Sequence, residues 1–286
     1  MFKKLLFSSL LFLSDGLKQL SFSGGGAFGA VELGIIKRLQ HDFPQHYDIY
    51  TGISAGGINA GFLSHYKNLN EGILSGDIFY KNLKSRMVYK YYPYTEVSIL
   101  NSEPLRNTLI TILKPLPTPS IPTYIGATNL YTGNLDVFSY ENMSLDDQVS
   151  LLMCTSAIPV VFPPISFRGS QYADGGTLDN ELLDIIHDGS YLNITFISPS
   201  FGSIYNNTEI TSLTQMALRV VKIVANNFNN VATLLNQDCE EPYGELNHYS
   251  VDSSLLNGYS MLDFDQGESL VNIGYNNVEH RKLKLC

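Results

Sequence analysis

A chain of 286 residues, 44% hydrophobic and 16% charged, has enough apolar material for one sizeable core and does not read as disordered. Eighteen Lys and Arg stand against 27 Asp and Glu, and the net charge of −9 argues against sequence-independent capture of nucleic acid, which needs clustered cations to displace counterions. Cys154, Cys239 and Cys286 lie far apart, form no C-x-x-C pair and leave one over in any pairing, which points away from a zinc site or a disulfide framework.

Lys3 and Lys4 precede the apolar run from Leu5 to Leu13, the outline of a signal peptide's first two regions, but no clear small-x-small cleavage pair follows. Segment 1–17 is therefore either a signal-like or membrane-associated element or, as the favoured reading, an ordinary first element. It is too short to cross a bilayer as a helix. A cytoplasmic or peripheral-membrane location is favoured, with secretion through this segment as the alternative. The Asn-x-Ser/Thr triplets at Asn142, Asn193 and Asn206 do not decide between them.

Gln19 to Ser23 alternates apolar and polar residues and runs into Gly24, Gly25 and Gly26. Beyond them Ala30, Val31, Gly34, Ile35 and Leu39 recur at helical spacing. The same grammar follows at once: a short strand over Asp48 to Thr51, a turn from Gly52 to Gly56, and a helix from about Ala55 to Tyr66. Two strand, glycine turn and helix units in succession predict an α/β fold with a mainly parallel central sheet.

Residues 73–94 interleave Lys81, Lys84, Arg86 and Lys90 with Tyr80, Tyr89, Tyr91, Tyr92 and Tyr94 and read as a peripheral insertion. It is either a lid or patch at lipid-headgroup depth or an ordinary solvated insertion that packs its tyrosines on the core. A helix is expected from Pro104 to Leu113 with Ser102 as its cap, and four prolines make Lys114 to Pro122 an extended connector. Strands over Tyr124 to Thr128 and Leu135 to Ser139 flank a turn at Thr132-Gly133-Asn134. A helix spans Leu145 to Thr155, a hairpin from Ile165 to Tyr172 turns at Gly169-Ser170, and Leu192 to Ser198 is a strand. Residues 18–200 form the expected catalytic domain. Residues 201–286 are expected to be helical, chiefly Leu213 to Leu235 and Leu262 to Leu283, and to pack on that domain.

Gly52-Ile53-Ser54-Ala55-Gly56 is a G-x-S-x-G between a strand and a helix, the context in which a serine becomes an exposed nucleophile on a strained turn. The Gly24 to Gly29 turn can supply amides that open a helix and hold a developing oxyanion. It also fits G-x-G-x-x-G, but Asp48 opens the second strand, whereas a ribose-binding acid should stand at its carboxyl end. Asp174, at the end of the hairpin strand and followed by Gly175 and Gly176, is the candidate base. The rival is a Ser-His-Asp α/β-hydrolase esterase using His187, His248 or His280, but only about two strands precede Ser54, too few for that fold.

Ser23-Gly24-Gly25-Gly26-Ala27-Phe28-Gly29, Gly52-Ile53-Ser54-Ala55-Gly56 and Asp174-Gly175-Gly176, in that order, resemble the patatin-like phospholipases. Gly126-Ala127-Thr128-Asn129-Leu130 with Thr132-Gly133, and Ser156-Ala157-Ile158-Pro159 running on to Pro164, are secondary matches, and the likeness extends from about Leu20 to Leu183. The resemblance implies a three-layer α/β/α fold and a lipid acyl hydrolase of phospholipase A or lysophospholipase type. Ser54 would be nucleophile, Asp174 base, and the amides of Gly24, Gly25, Gly26 and Ala27 the oxyanion hole, with Gly29, Gly52, Gly56, Gly175 and Gly176 supporting the motifs. It implies no metal or organic cofactor, and a phospholipid or other glycerolipid substrate at a membrane surface. One departure stands out: Phe28 occupies a position where that family usually carries Arg or Lys, so a cation near the oxyanion or headgroup is missing. A non-catalytic lipid-binding protein that kept the pocket is the alternative from another class.

Overall fold

Strand β1 (Leu17–Phe22) leads through a one-turn 3-10 segment at Gly26–Phe28 into helix α1 (Gly29–Asp42), and strand β2 (Ile49–Ile53) runs without a break into helix α2 (Ser54–Leu63). The structure, a computed structural model, describes residues 16–91, 97–183, 191–200, 209–227 and 242–285. All five residues of β2 are buried, as expected of a parallel strand covered on both faces.

β1 lies at the middle of the sheet, with β2 parallel on one side and β9 (Leu192–Ser200) parallel on the other. Beyond β9 come β10 (Gly244–Val251), parallel, and β11 (Glu279–Leu285), antiparallel at the edge. Beyond β2 comes β5 (Thr123–Asn129), parallel, and then the antiparallel strands β6 (Leu135–Ser139), β7 (Ile165–Phe167) and β8 (Ser170–Asp174). Helices α3 (Leu69–Asn82), α4 (Glu103–Leu113), α5 (Leu145–Thr155), α6 (Leu213–Asn227) and α7 (Gly267–Asn276) complete the flanking layers. α7 lies directly on α1: a Cβ at Gly34 would come 2.1 Å from the Val271 carbonyl oxygen, and one at Gly274 the same distance from that of Val31. A two-stranded ribbon of β3 (Lys90–Tyr91) and β4 (Leu100–Asn101) stands apart from the main sheet.

The region read as a peripheral insertion is largely part of the body of the fold. α3 packs on α1 and α2, Tyr80 is buried, and Lys81 is held by Asp77, which also binds Lys37. An amphipathic helix with one tyrosine turned inward looks the same in sequence as a basic aromatic surface stretch; Tyr92 and Tyr94 lie outside the described residues. α4 is capped by Asn101, whose Oδ1 accepts the Glu103 amide at 2.7 Å, while the Ser102 side chain makes no capping bond.

The C-terminal part is not simply helical. α6 is described to Asn227, and the expected helix from Leu262 to Leu283 is only the ten residues of α7, because β10 and β11 extend the sheet. Both strands escape sequence detection for a physical reason. β10 turns His248 and Ser250 inward alongside Leu246, so its alternation is not apolar against polar. β11 is an edge strand whose exposed Arg281, Lys282 and Lys284 protect it from pairing with another chain. Residues 1–15, His187, Asn206, Cys239 and Cys286 lie outside the described residues. Among the described residues no helix is long and apolar enough to cross a membrane.

Candidate active site

The sheet register builds the site. β2 pairs along β5 as far as Ile53 opposite Gly126, and β8 takes over at the next position, with Asp174 opposite Ala127. Since β6 runs along β5 over the same residues, it holds the other edge. The residue preceding Ser54 and the carboxylate-bearing Asp174 thus occupy successive places on one edge of one strand, although 120 residues separate Ser54 from Asp174.

Ser54 opens α2 at φ 54°, in the left-handed region, a conformation that costs a non-glycine residue about 1–3 kcal/mol and persists only where the surroundings enforce it. Here they do. Its amide donates to Thr155 Oγ1 (2.8 Å), which in turn donates to the Gly126 carbonyl (2.6 Å). The two motif glycines are required by close backbone approach: a Cβ at Gly52 would lie 2.3 Å from the Gly56 carbonyl oxygen, and one at Gly56 would lie 2.2 Å from that of Ser23.

Ser54 Oγ donates to Asp174 Oδ2 at 2.6 Å, and both residues are 4% exposed. Asp174 Oδ1 accepts the Gly176 amide (2.8 Å), while its backbone is fixed by the Ala157 carbonyl and the Thr128 hydroxyl. Burial pushes the Asp174 carboxyl up to about 7, against the lowering effect of the Ser54 and Gly176 donors. A carboxylate of that basicity, in contact with a hydroxyl and shielded from water, can accept its proton near neutral pH.

The glycine turn lies against this pair, since a Cβ at Gly24 would come within 2.9 Å of Ser54 Cβ. Of the four amides expected to face an oxyanion, two already have partners. The Gly24 amide donates to Asn180 Oδ1 (3.1 Å) and the Ala27 amide to the Met261 carbonyl (2.8 Å). The amides of Gly25 and Gly26 have no partner among the described residues. Gly26 has a φ of 58°, and a Cβ there would sit 2.4 Å from the same Met261 carbonyl oxygen. Phe28 is buried in the main core, so the departure at that position is a packing residue.

Several residues of the site carry no motif. Asn180 clamps Gly24 at both ends, accepting its amide and donating Nδ2 to its carbonyl (3.3 Å). The strap that delivers Asn180 is pinned across β1 and β2: Ser21 Oγ donates to the Glu181 carbonyl, Thr51 Oγ1 to that of Leu182 and Gln19 Nε2 to that of Leu183. Behind the turn, Glu32 in α1 is fully buried, accepting from Ser23 Oγ (3.2 Å) and from Asn59 Nδ2 (3.0 Å), and Tyr80 donates its hydroxyl to Asn59 Oδ1 (2.8 Å). Desolvation holds the Glu32 carboxyl well above the usual carboxylate range. An acid amid the apolar residues Ala30, Val31 and Leu33 was the one sequence signal that could have flagged it; Asn180 and Thr155 offered none.

No described histidine bonds to Ser54 or Asp174. His248 is buried on β10 with Ser198 Oγ 2.7 Å from its Nε2, burial lowering its imidazole to about 3, and His280 stacks on Tyr249. Asp48 spends Oδ2 on the Lys18 amide at the start of β2, at the far end of that strand from Ser54.

The family model for patatin-like phospholipases matches residues 20–187, more than half of the chain and the part that contains Ser54, Asp174 and both glycine turns. The chain belongs to the patatin-like phospholipase family. Membership implies a hydrolase of lipid esters with a lipid substrate, and the patatin-like three-layer α/β/α architecture is the one observed here. No curated protein matches this patatin-like chain. Among solved structures it is similar to VipD from Legionella pneumophila, at 13% identity and a TM-score of 0.42, over 93% of this chain and 68% of that one.

Proposed function

We propose that this patatin-like protein is an acyl hydrolase of phospholipase A or lysophospholipase type working through a Ser54-Asp174 dyad. The observation that carries the reading is the 2.6 Å bond between two buried groups, one on an enforced strained turn and the other with its pKa raised to about 7. Asp174 takes the Ser54 proton as Oγ bonds to the ester carbonyl carbon, and the carbonyl oxygen, now an anion, lies against the Gly25 and Gly26 amides. Each such donor contributes about 3–4 kcal/mol to acyl transfer. Collapse breaks the ester C–O bond, and the leaving alcohol takes the proton from Asp174. Asp174 then accepts a proton from water as its oxygen attacks the acyl-serine, and returns that proton to Ser54 Oγ as the fatty acid departs. The substrate is a phospholipid or another glycerolipid at a membrane surface.

Labelling with a fluorophosphonate probe, followed by fatty-acid release from glycerolipid, tests this. The expected result is labelling of wild type, none of Ser54→Ala, and release at least about 1,000-fold lower in both Ser54→Ala and Asp174→Asn. Release surviving both changes would remove the dyad. A wild-type protein that binds lipid but neither labels nor releases fatty acid would instead be the non-catalytic lipid binder.

A further inference from the structure

α6 carries more apolar surface than its packing uses. Ala217 and Leu218 are buried against the loop that holds Ile158, Val161 and Phe162. A second stripe, Leu213, Met216, Val220 and Ile223, recurs at intervals that stack on one side of a helix and is 67%, 49%, 49% and 44% exposed. Val160, in the loop α6 covers, is another 53% exposed and held at φ 69°. An apolar stripe of this kind on a protein surface marks an interaction site.

Two further observations identify the partner. The first is position: the Ala157 carbonyl of that same loop accepts the Asp174 amide, and α6 packs on the Gly175–Thr177 turn, so the stripe is attached to the wall of the dyad site. The second is charge: from Ile210 to Asn227 the chain has Arg219 and Lys222 and no acid, in a protein whose net charge is −9. A segment whose sequence holds two cations and no acid, and which exposes an apolar stripe, fits a headgroup layer over acyl chains.

We propose that α6 is the helix on which this protein docks to a phospholipid bilayer, its exposed stripe lying among the acyl chains beside the site. The inference deepens the reading of Ser54 and Asp174 as acting on lipid and rests on it.

The test uses the full chain and phosphatidylcholine vesicles with and without phosphatidylglycerol. Co-sedimentation is measured in a Ser54→Ala background, so that docking is read without chemistry, and in that background Leu213, Met216, Val220 and Ile223 are all changed to Gln. Bound protein should fall roughly tenfold or more. With Ser54 intact, vesicle hydrolysis should fall likewise, while turnover of a short soluble ester stays within about twofold. Because the chain has no tryptophan, Met216→Trp gives a single reporter whose emission should shift to the blue on vesicle addition, even if the quadruple variant does not fold. A folded quadruple variant with unchanged vesicle binding, or a Met216→Trp emission that does not move, overturns the proposal. So does an equal loss of soluble-ester turnover, which means a structural role, or lipid-free dimerisation of wild type abolished by the same changes, which means a second copy covers the stripe. An unreactive Ser54 with docking still dependent on α6 would sink the enzymatic reading and leave the docking helix standing.

Discussion

Ser54 and Arg168 share a backbone conformation, with φ 54° and 45°, and nothing else about their settings agrees. Arg168 and Gly169 form the exposed turn between β7 and β8, where a Cβ added at Gly169 would meet nothing within 4 Å and the arginine reaches out to Asp147. That turn is local chemistry, chosen because positive φ matches the twist of a hairpin. Around Ser54 the same conformation is imposed from outside, by the Thr155 hydroxyl and by backbone so close at Gly52 and Gly56 that no side chain fits. A left-handed serine is evidence of a site when its neighbours compel it, and the angle alone is not.

The contrast breaks most visibly at Gly56. Gly56→Ala should abolish hydrolysis and lower Tm by more than about 10 °C, since the new methyl must displace the Ser23 carbonyl and neither backbone can yield. Thermal melts and esterase assays check it; a soluble, active variant would mean the elbow is not enforced. Next in size, Asn180→Ala should lower kcat about 10- to 100-fold with KM within about threefold, because it frees the glycine turn that lies against Ser54. A change confined to KM in steady-state kinetics would assign Asn180 to substrate contact.

A third change acts through pH. Burial raises the Asp174 pKa from 3.8 to about 7, so the folded state binds this proton more tightly than the unfolded state. Its contribution to stability is fully present below the unfolded value and is lost as pH rises through about 7. Asp174→Asn, which carries no buried charge, should therefore melt about 5 °C above wild type at pH 8 and near it at pH 4. The opposite trend in melts across that range would contradict the raised pKa. In the wild type, kcat/KM should rise through the same pH as Asp174, the proposed base, ionises. The smallest effect belongs to the other turn. Gly169→Ala should cost about 1 kcal/mol for the strained φ alone and leave hydrolysis unchanged, as measured by denaturant unfolding and ester turnover.

What could be read in advance follows from how far each interaction reaches along the chain. The helix from Leu145 to Thr155 and the strands around Gly133 matched their expected bounds to within about a residue, because caps, turns and periodicity act over a few positions. The two C-terminal strands did not, because β10 buries the polar residues His248 and Ser250, the former against Ser198 of β9, and β11 has an edge strand's surface. Composition left open whether the tyrosines of residues 73–94 face a headgroup layer or pack on the core, and only the fold shows the Tyr80 hydroxyl donating to Asn59 on a different helix. Glu32 was passed over as a helix residue, although its carboxyl joins Ser23 to Asn59 beneath the turn.

By itself the sequence determined the residue types, the two glycine turns, their order along the chain and the likeness to patatin-like phospholipases, since all of these are properties of short stretches. Only the tertiary structure decided that Gly126 and Ala127 present Ile53 and Asp174 side by side. It also decided that, among the described residues, the Gly25 and Gly26 amides have no partner while those of Gly24 and Ala27 do, and that Asn180 secures the turn. Strand register and desolvation depend on segments more than a hundred residues apart, and the proximity of those segments is created by the packed sheet.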